Sequence, residues 1–474
     1  MDSNRVLEIF KDITRVPRES GHEEQIIAFL QNFASAHSLE CRTDEAGNVV
    51  IVKPASPGRE NVPVLVLQSH SDMVCEKNSD VDHDFSKDPI RYEIKDGWMV
   101  APDTTLGADC GIGIAAELAL LESDSDTGRI ECLFTVSEET GLDGAKALKP
   151  GFITGKTLLN LDSEDEGELF VGCAGGIDTT AVFHLQTSAL PENVTLLSFR
   201  IFNAIGGHSG DDIDKGRANA VQLLARFLYS GLGNYALCHI DGGNKRNAIA
   251  REASCVLAVK GDGKSVKDLF NTFAADVKTE YAVTEPDLSF ECREVSGDYR
   301  AVSDFDCQRL VSALFAAPHG VLAMSQEIKG LVETSSNLAS VKMTDNSTVR
   351  VGSSQRSSIN SACEAAGAKM QACFEMAGAE VSHENGYPGW KPDMQSHILE
   401  ISRNAYKELF GCEPVVRAIH AGLECGLFLD IYPDLDMISF GPTLRGVHAP
   451  GERLDLASLD KFVRLLDKIV TEFA

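Results

Sequence analysis

Four short apolar runs punctuate the first third of the chain: Val49 to Val52, Val64 to Leu67, Ile130 to Val136 and Leu158 to Leu161. Runs of this length and composition are the pattern of strands buried on both faces. A helical stretch, Ile112 to Glu122, separates the second run from the third. Strands alternating with helices restrict the segment to an α/β domain. Three of the runs lead within a few residues to imidazole or carboxylate side chains: His70-Ser71-Asp72, Glu138-Glu139 and Asp162. In open α/β sheets the carboxyl ends of the strands are where ligands bind. Two further candidates sit at glycine turns, Asp109 within Gly107-Ala108-Asp109-Cys110-Gly111 and His448 within Gly446 to Glu452.

A chain of 474 residues exceeds one ordinary hydrophobic core. Near the start, Ser20-Gly21-His22-Glu23 fits a capping box, with Ile26, Leu30 and Phe33 following at helical spacing. From about residue 177 the character changes. A strand over Val194 to Phe202 passes through Gly206-Gly207-His208-Ser209-Gly210 into a helix around Ala218 to Tyr229, and strand Cys255 to Val259, helix Val266 to Tyr281 and strand Leu288 to Val295 follow. These predict a second, α+β domain over 177–390. Tyr387 to Pro392 reads as a linker. Helices over Met394 to Phe410 and Leu459 to Phe473 then return to the first domain, which comprises 1–176 and 391–474. The expected fold is α/β, a central mixed sheet flanked by helices, with the second domain inserted.

The formal net charge of -28, without any basic run, excludes nucleic acid and anionic lipid as partners. No apolar run approaches the roughly 18 residues of a membrane span. The first residues show no basic cap and apolar stretch, so no signal peptide is expected. Thirteen cysteines, an odd number without a Cys-x-x-Cys pair, point to free thiols in a reducing cytoplasm.

The nitrogen and oxygen side chains at the strand ends suit zinc, and also manganese or cobalt. A carboxylate bridging two metals is a recurring hydrolase design. Singly, each residue is ordinary: a lone strand-end His is usually a hydrogen-bonded surface group, and a Glu-Glu pair is usually solvated. The three strand-end clusters together with Asp109, four in one domain, make a different pattern.

His70-Ser71-Asp72-Met73-Val74, Thr104 to Asp109, Ser137 to Gly141 and Asn160 to Ser163 occur in the order of the signature blocks of the co-catalytic zinc aminopeptidase and carboxypeptidase superfamily, which the chain resembles throughout its length. Asp82 to Phe85, Gly242 to Asn247 and His420 to Gly426 narrow the resemblance to the aminoacyl-histidine dipeptidase family, also called cytosol non-specific dipeptidases. The resemblance implies a zinc-exopeptidase-like catalytic domain with a lid domain that closes over it, and a homodimer. It implies two zinc ions, replaceable by cobalt or manganese. His70 and Asp162 would hold one, Glu139 and His448 the other, and Asp109 would bridge them. Asp72 would orient the His70 imidazole, and Glu138 would be the general base. His208 would stabilise the oxyanion, from its own subunit or a neighbour's. Asn247 and Arg356 would bind the substrate's terminal carboxylate, with His420 as a wall of the site. The resemblance also implies a cis peptide bond after Asp109, where Cys110 replaces the usual Asp or Asn. Ala250 stands where Pro is common.

The expected activity is hydrolysis of unblocked L-dipeptides, Xaa-His substrates such as carnosine included. Two rivals remain at this point: an amidohydrolase that deacylates N-acyl amino acids, and a metal-free binding or scaffold relative. Two other patterns lack the context they require. Gly111-Ile112-Gly113-Ile114-Ala115-Ala116 has no immediately preceding strand for nucleotide binding, and Gly207-His208-Ser209-Gly210-Asp211 is one glycine short of a nucleophile elbow.

Overall fold

The structure is a computed structural model and describes residues 1–473. The chain forms two compact units. The first comprises 1–173, 390–418 and the chain from Leu423 onward, and the second comprises 174–389 and 419–422.

The first unit is built on an eight-stranded mixed sheet in the order Glu40–Thr43, Val49–Lys53, Ile130–Thr135, Leu65–His70, Thr157–Asn160, Asp436–Ser439, Glu168–Cys173 and Val415–Ile419. Its centre is parallel: Leu65–His70 pairs with Ile130–Thr135 and with Thr157–Asn160, which pairs with Asp436–Ser439. The other described pairings are antiparallel. The parallel strands are buried along nearly their whole length. That explains why their sequences read as apolar runs rather than alternations.

The helix Ala108–Glu122 packs on this sheet with almost every residue buried. A Cβ at Gly113 would come within 3.0 Å of the Ser69 Cβ, so glycine permits close approach of helix and strand here. Helix Ser3–Ile13 buries Val6, Ile9, Phe10 and Ile13. Helix Leu456–Glu472 buries Leu459, Phe462, Val463, Leu466, Ile469 and Val470. Both follow the 3.6-residue period, and each such side chain removed from water stabilises the fold by roughly 1.5–3 kcal/mol.

The second unit is an antiparallel sheet of nine strands with helices Ala220–Ser230, Lys264–Glu280, Asp304–Ala316 and Asn360–Met376. Its core includes Phe199, Phe227, Phe270 and Phe273. Phe199, Phe227 and Phe270 have ring centroids 4.9–5.0 Å apart, a spacing favourable for tilted and edge-on aromatic contacts. The sequence reading missed several of its strands, among them Gly175–His184, Val332–Met343 and Thr348–Ser357.

One local expectation is corrected. Ser20 does not cap helix Glu24–Ala36: its hydroxyl donates to Asp72 Oδ2 at 2.6 Å, while Glu23 Oε1 accepts from the amide and hydroxyl of Ser137. A buried carboxylate competes successfully for the hydroxyl. The division between the two units falls within Tyr387 to Pro392, between Gly389 and Trp390. Tyr387 ends strand Glu380–Tyr387, and Trp390 is buried and bridges to Cys173. Among the described residues no helix is long and apolar enough to cross a membrane.

Candidate functional site

His70 is the last residue of its parallel strand. Glu138 and Glu139 follow Ile130–Thr135 through Ser137, whose positive φ of 51° turns the chain sharply. Asp162 stands two residues beyond Thr157–Asn160. The three segments lie side by side in the sheet, so its parallel centre delivers all of them to one edge.

Asp109 is the hub. Its Oδ1 lies 3.0 Å from His70 Nε2 and its Oδ2 lies 3.1 Å from His448 Nε2. His70 Nε2 is also 3.3 Å from Asp162 Oδ1, and His448 Nε2 is 2.9 Å from Glu139 Oε2. The structure therefore groups His70 with Asp162 on one side of Asp109 and Glu139 with His448 on the other. His448 reaches the cluster from a turn between Leu444–Arg445 and Arg453–Asp455, where it adopts a positive φ of 62°.

Several buried groups hold this arrangement. Asp72, fully buried, faces His70 Nδ1 at 3.2 Å and accepts the backbone N–H groups of Glu138 and Glu139 at 3.1 and 3.2 Å. Glu452 accepts the N–H groups of Leu106, Gly107 and Ala108 at 2.7–3.0 Å, at the start of the helix that carries Asp109. A carboxylate there satisfies amides without a helical partner and complements the helix dipole. The buried Arg18 guanidinium donates to the carbonyls of Ser71, Asp72 and Gly107. It thereby ties the turn after His70 to the turn before Asp109. The Asp109–Cys110 peptide is cis. The Cys110 thiol donates to the Leu161 carbonyl at 3.3 Å.

The electrostatics follow from burial. Desolvation, with Asp162, Glu424 and Glu139 nearby, raises the Glu138 carboxyl well above its ordinary value. Burial and the neighbouring Asp109 push the Asp162 carboxyl up to about 7. Hydrogen bonds to Asp109 and Glu139 push the His448 imidazole up to about 11. The ion partners of Asp109, Asp162 and Glu139 are imidazoles. Crowded carboxylates of this kind resist ionising together, and divalent cations would relieve the repulsion. His70, Asp109 and Glu139 have ligand atoms within 4.8 Å of one another, as do His70, Cys110 and Asp162. This donor set fits metal ions.

The second unit carries its own polar cluster. His208 lies on a two-residue strand paired with Ala248, and the Asn247 carbonyl accepts the Ser209 N–H at 2.9 Å. His208 Nδ1 faces the N–H groups of Gly210 and Asp211 at 3.3 Å and Asp211 Oδ2 at 3.3 Å. Arg356 is buried on strand Thr348–Ser357, opposite Ser335 on the neighbouring strand. It donates to the Tyr387 hydroxyl at 3.2 Å, while its Nε has no partner among the described residues. His420 Nε2 lies 2.7 Å from Ser335 Oγ, and its buried Nδ1 has no partner among the described residues. Burial, reinforced by Arg356, pushes this imidazole down to about 4. Asn247 is exposed.

The sequence reading missed Arg18, Gln68, Asn160 and Glu452. One signal could have exposed the two amides. Gln68 and Asn160 are polar side chains within or ending apolar parallel strands, and each lies two residues before a candidate ligand.

A model of peptidase family M20/M25/M40 matches residues 66–472. The cytosol non-specific dipeptidase of Escherichia coli (strain K12) is 40% identical over 469 residues, 98% of this chain and 96% of that protein. The crystal structure of aminoacylhistidine dipeptidase from Vibrio alginolyticus superposes with a TM-score of 0.94 at 40% identity, covering 99% of this chain and 96% of that one. The aminopeptidase PepT from Bacillus cereus shares the fold, with a TM-score of 0.65 at 20% identity over 100% of this chain and 99% of that one.

Proposed function

The chain belongs to peptidase family M20/M25/M40, and on that footing we propose that it is a cytoplasmic, homodimeric metallodipeptidase that hydrolyses unblocked L-dipeptides, Xaa-His substrates such as carnosine included. The observation that carries the reading is the placement of Asp109 between His70 and His448, one carboxylate oxygen toward each imidazole. In this reading His70 and Asp162 hold one zinc ion, Glu139 and His448 a second, and Asp109 both. Cobalt or manganese can substitute. Residues 1–176 and 391–474 form the catalytic part, and 177–390 the inserted lid.

When bound, two such cations supply a water acidified to the hydroxide level near neutral pH. The residues of the chain do the rest. Asp72 fixes the His70 ring and the peptides of Glu138 and Glu139. Glu138 takes the proton of the attacking water and returns it to the leaving amine. In the second unit, His208 is assigned to stabilise the oxyanion of the tetrahedral intermediate. The Arg356 guanidinium and the Asn247 amide are assigned to the substrate's terminal carboxylate. The unpartnered Nδ1 of His420 is assigned to a substrate polar group beside it.

The test is metal analysis of the purified protein together with turnover of carnosine, Gly-Gly and an N-acetyl amino acid. About two metals per chain and hydrolysis of the free dipeptides is the expected result. Preferential turnover of the N-acetyl amino acid, or fewer than about one metal after reconstitution, overturns the proposal.

A further inference from the structure

Behind the candidate ligands, on the parallel strands that deliver them, runs a line of buried polar side chains without a role in the chemistry above. Ser163 Oγ lies 2.6 Å from Ser439 Oγ, and the Ser439 hydroxyl donates to Asn160 Oδ1. Asn160 Nδ2 donates to Gln68 Oε1 at 2.6 Å. Gln68 Nε2 donates to Glu424 Oε2 at 2.7 Å, and the Thr135 hydroxyl donates to the same oxygen at 2.9 Å. Gln68, Thr135, Asn160, Ser439 and Glu424 are all at most 1% exposed. Every donor in the line points the same way, and the line ends on one oxygen of Glu424. That acceptor fixes which end of each amide is nitrogen and which is oxygen. Reversing either amide would set like groups against each other in an interior that water does not reach.

The line is coupled to the ligands by spacing. Gln68 precedes His70 by two residues, and in a strand such side chains share a face. Asn160 precedes Asp162 by two residues, and its Oδ1 accepts the Asp162 backbone N–H at 3.4 Å. Thr135 ends the strand that leads to Glu138.

We propose that Glu424 is a positioning residue of the metal centre: as terminal acceptor it locks the Gln68 and Asn160 amides, and through them the settings of His70 and Asp162. The role rests on the metal-centre reading above and needs an acceptor at position 424, not a charge. A glutamine carbonyl can receive the same two donors.

The experiment measures zinc affinity of the full-length protein by competition with a chromophoric chelator. It compares wild type, Glu424→Ala, Glu424→Gln and Thr135→Val, each checked for folding by circular dichroism and thermal unfolding without metal. Glu424→Ala is expected to bind zinc about 10–100-fold more weakly, and Glu424→Gln to recover most of that loss. Thr135→Val removes one donor and is expected to weaken zinc binding by about 2–10-fold, less than the loss of a whole supporting partner. Wild-type affinity in Glu424→Ala, or a Glu424→Gln protein as weak as Glu424→Ala, overturns the proposal. If Glu424→Ala does not fold, unchanged affinity in Thr135→Val overturns it and weakened affinity supports it. A wild-type protein that binds no zinc defeats the metal-centre reading itself, an outcome distinct from any difference among the variants.

Discussion

Asp72 Oδ1 accepts the backbone N–H of Glu138 at 3.1 Å, so the carboxylate that backs the His70 imidazole also anchors the peptide of the proposed base. Replacing Asp72 with Ala removes both supports at once. Zinc affinity is expected to fall about 10–100-fold, the usual loss when a ligand's hydrogen-bonding partner goes. Turnover is expected to fall even at saturating zinc, because Glu138 and Glu139 lose the acceptor for their amides. Equilibrium zinc titration and saturating-metal kcat separate the two effects. A variant that loses affinity but keeps full kcat shows that the peptide anchor is dispensable.

Glu138 itself is the sharper probe. Its backbone is held by Asp72, while the close ion pairs of the cluster run through Asp109, Glu139, Asp162 and the two imidazoles. Glu138→Ala is therefore expected to retain zinc while kcat falls about 10²–10⁴-fold, the loss typical of a positioned acid–base group. Steady-state kinetics on a free dipeptide, with zinc content measured on the same sample, checks this. Near-normal kcat removes Glu138 from the mechanism.

The candidate site was more legible in the sequence than the second unit, and the reason is physical. Parallel strands buried on both faces leave unmistakable apolar runs, and a polar residue just past such a run is conspicuous. The second unit hides its strands. Val332–Met343 and Thr348–Ser357 bury Thr334, Ser335, Ser336, Asn337, Ser353, Gln355 and Arg356, side chains that read as loop when taken alone. Their hydrogen bonds come from distant parts of the chain: Thr179 Oγ1 donates to Gln355 Oε1, and Asn337 Nδ2 donates to the carbonyls of Arg246 and Ala248. No local periodicity encodes such partners. Ser20 misled for the same reason, since its partner Asp72 lies 52 residues away.

Arg356 joins a buried guanidinium to an Nε that has no partner among the described residues. A substrate carboxylate would complete it. Arg356→Ala is expected to raise KM for dipeptides about 10–100-fold, matching the roughly 1.5–3 kcal/mol of a charge-assisted hydrogen bond. Arg356→Lys is expected to recover little, because an ammonium lacks the planar fork and reaches the strand's surroundings differently. The measurement is KM against kcat for Gly-Gly. An unchanged KM in Arg356→Ala places the carboxylate clamp elsewhere.

Glu117, on the central helix, is fully buried; its Oε2 accepts from the Ser69 hydroxyl, and its Oε1 has no partner among the described residues. Burial raises its carboxyl well above the ordinary glutamate value of 4.5. The folded chain therefore holds a proton that the unfolded chain releases above that value. Stability from this group is fully present below about pH 4.5 and is withdrawn as pH rises toward the folded pKa, at about 1.4 kcal/mol per unit of displacement. Glu117→Gln keeps the shape and a partner for Ser69 but has no proton to lose. Its melting temperature is expected to exceed that of wild type at pH 8, with the gap narrowing toward pH 5. Thermal unfolding of both proteins across that range decides the matter. A gap that does not change with pH shows that the Glu117 carboxyl is not raised in the folded chain, against the direction its burial dictates.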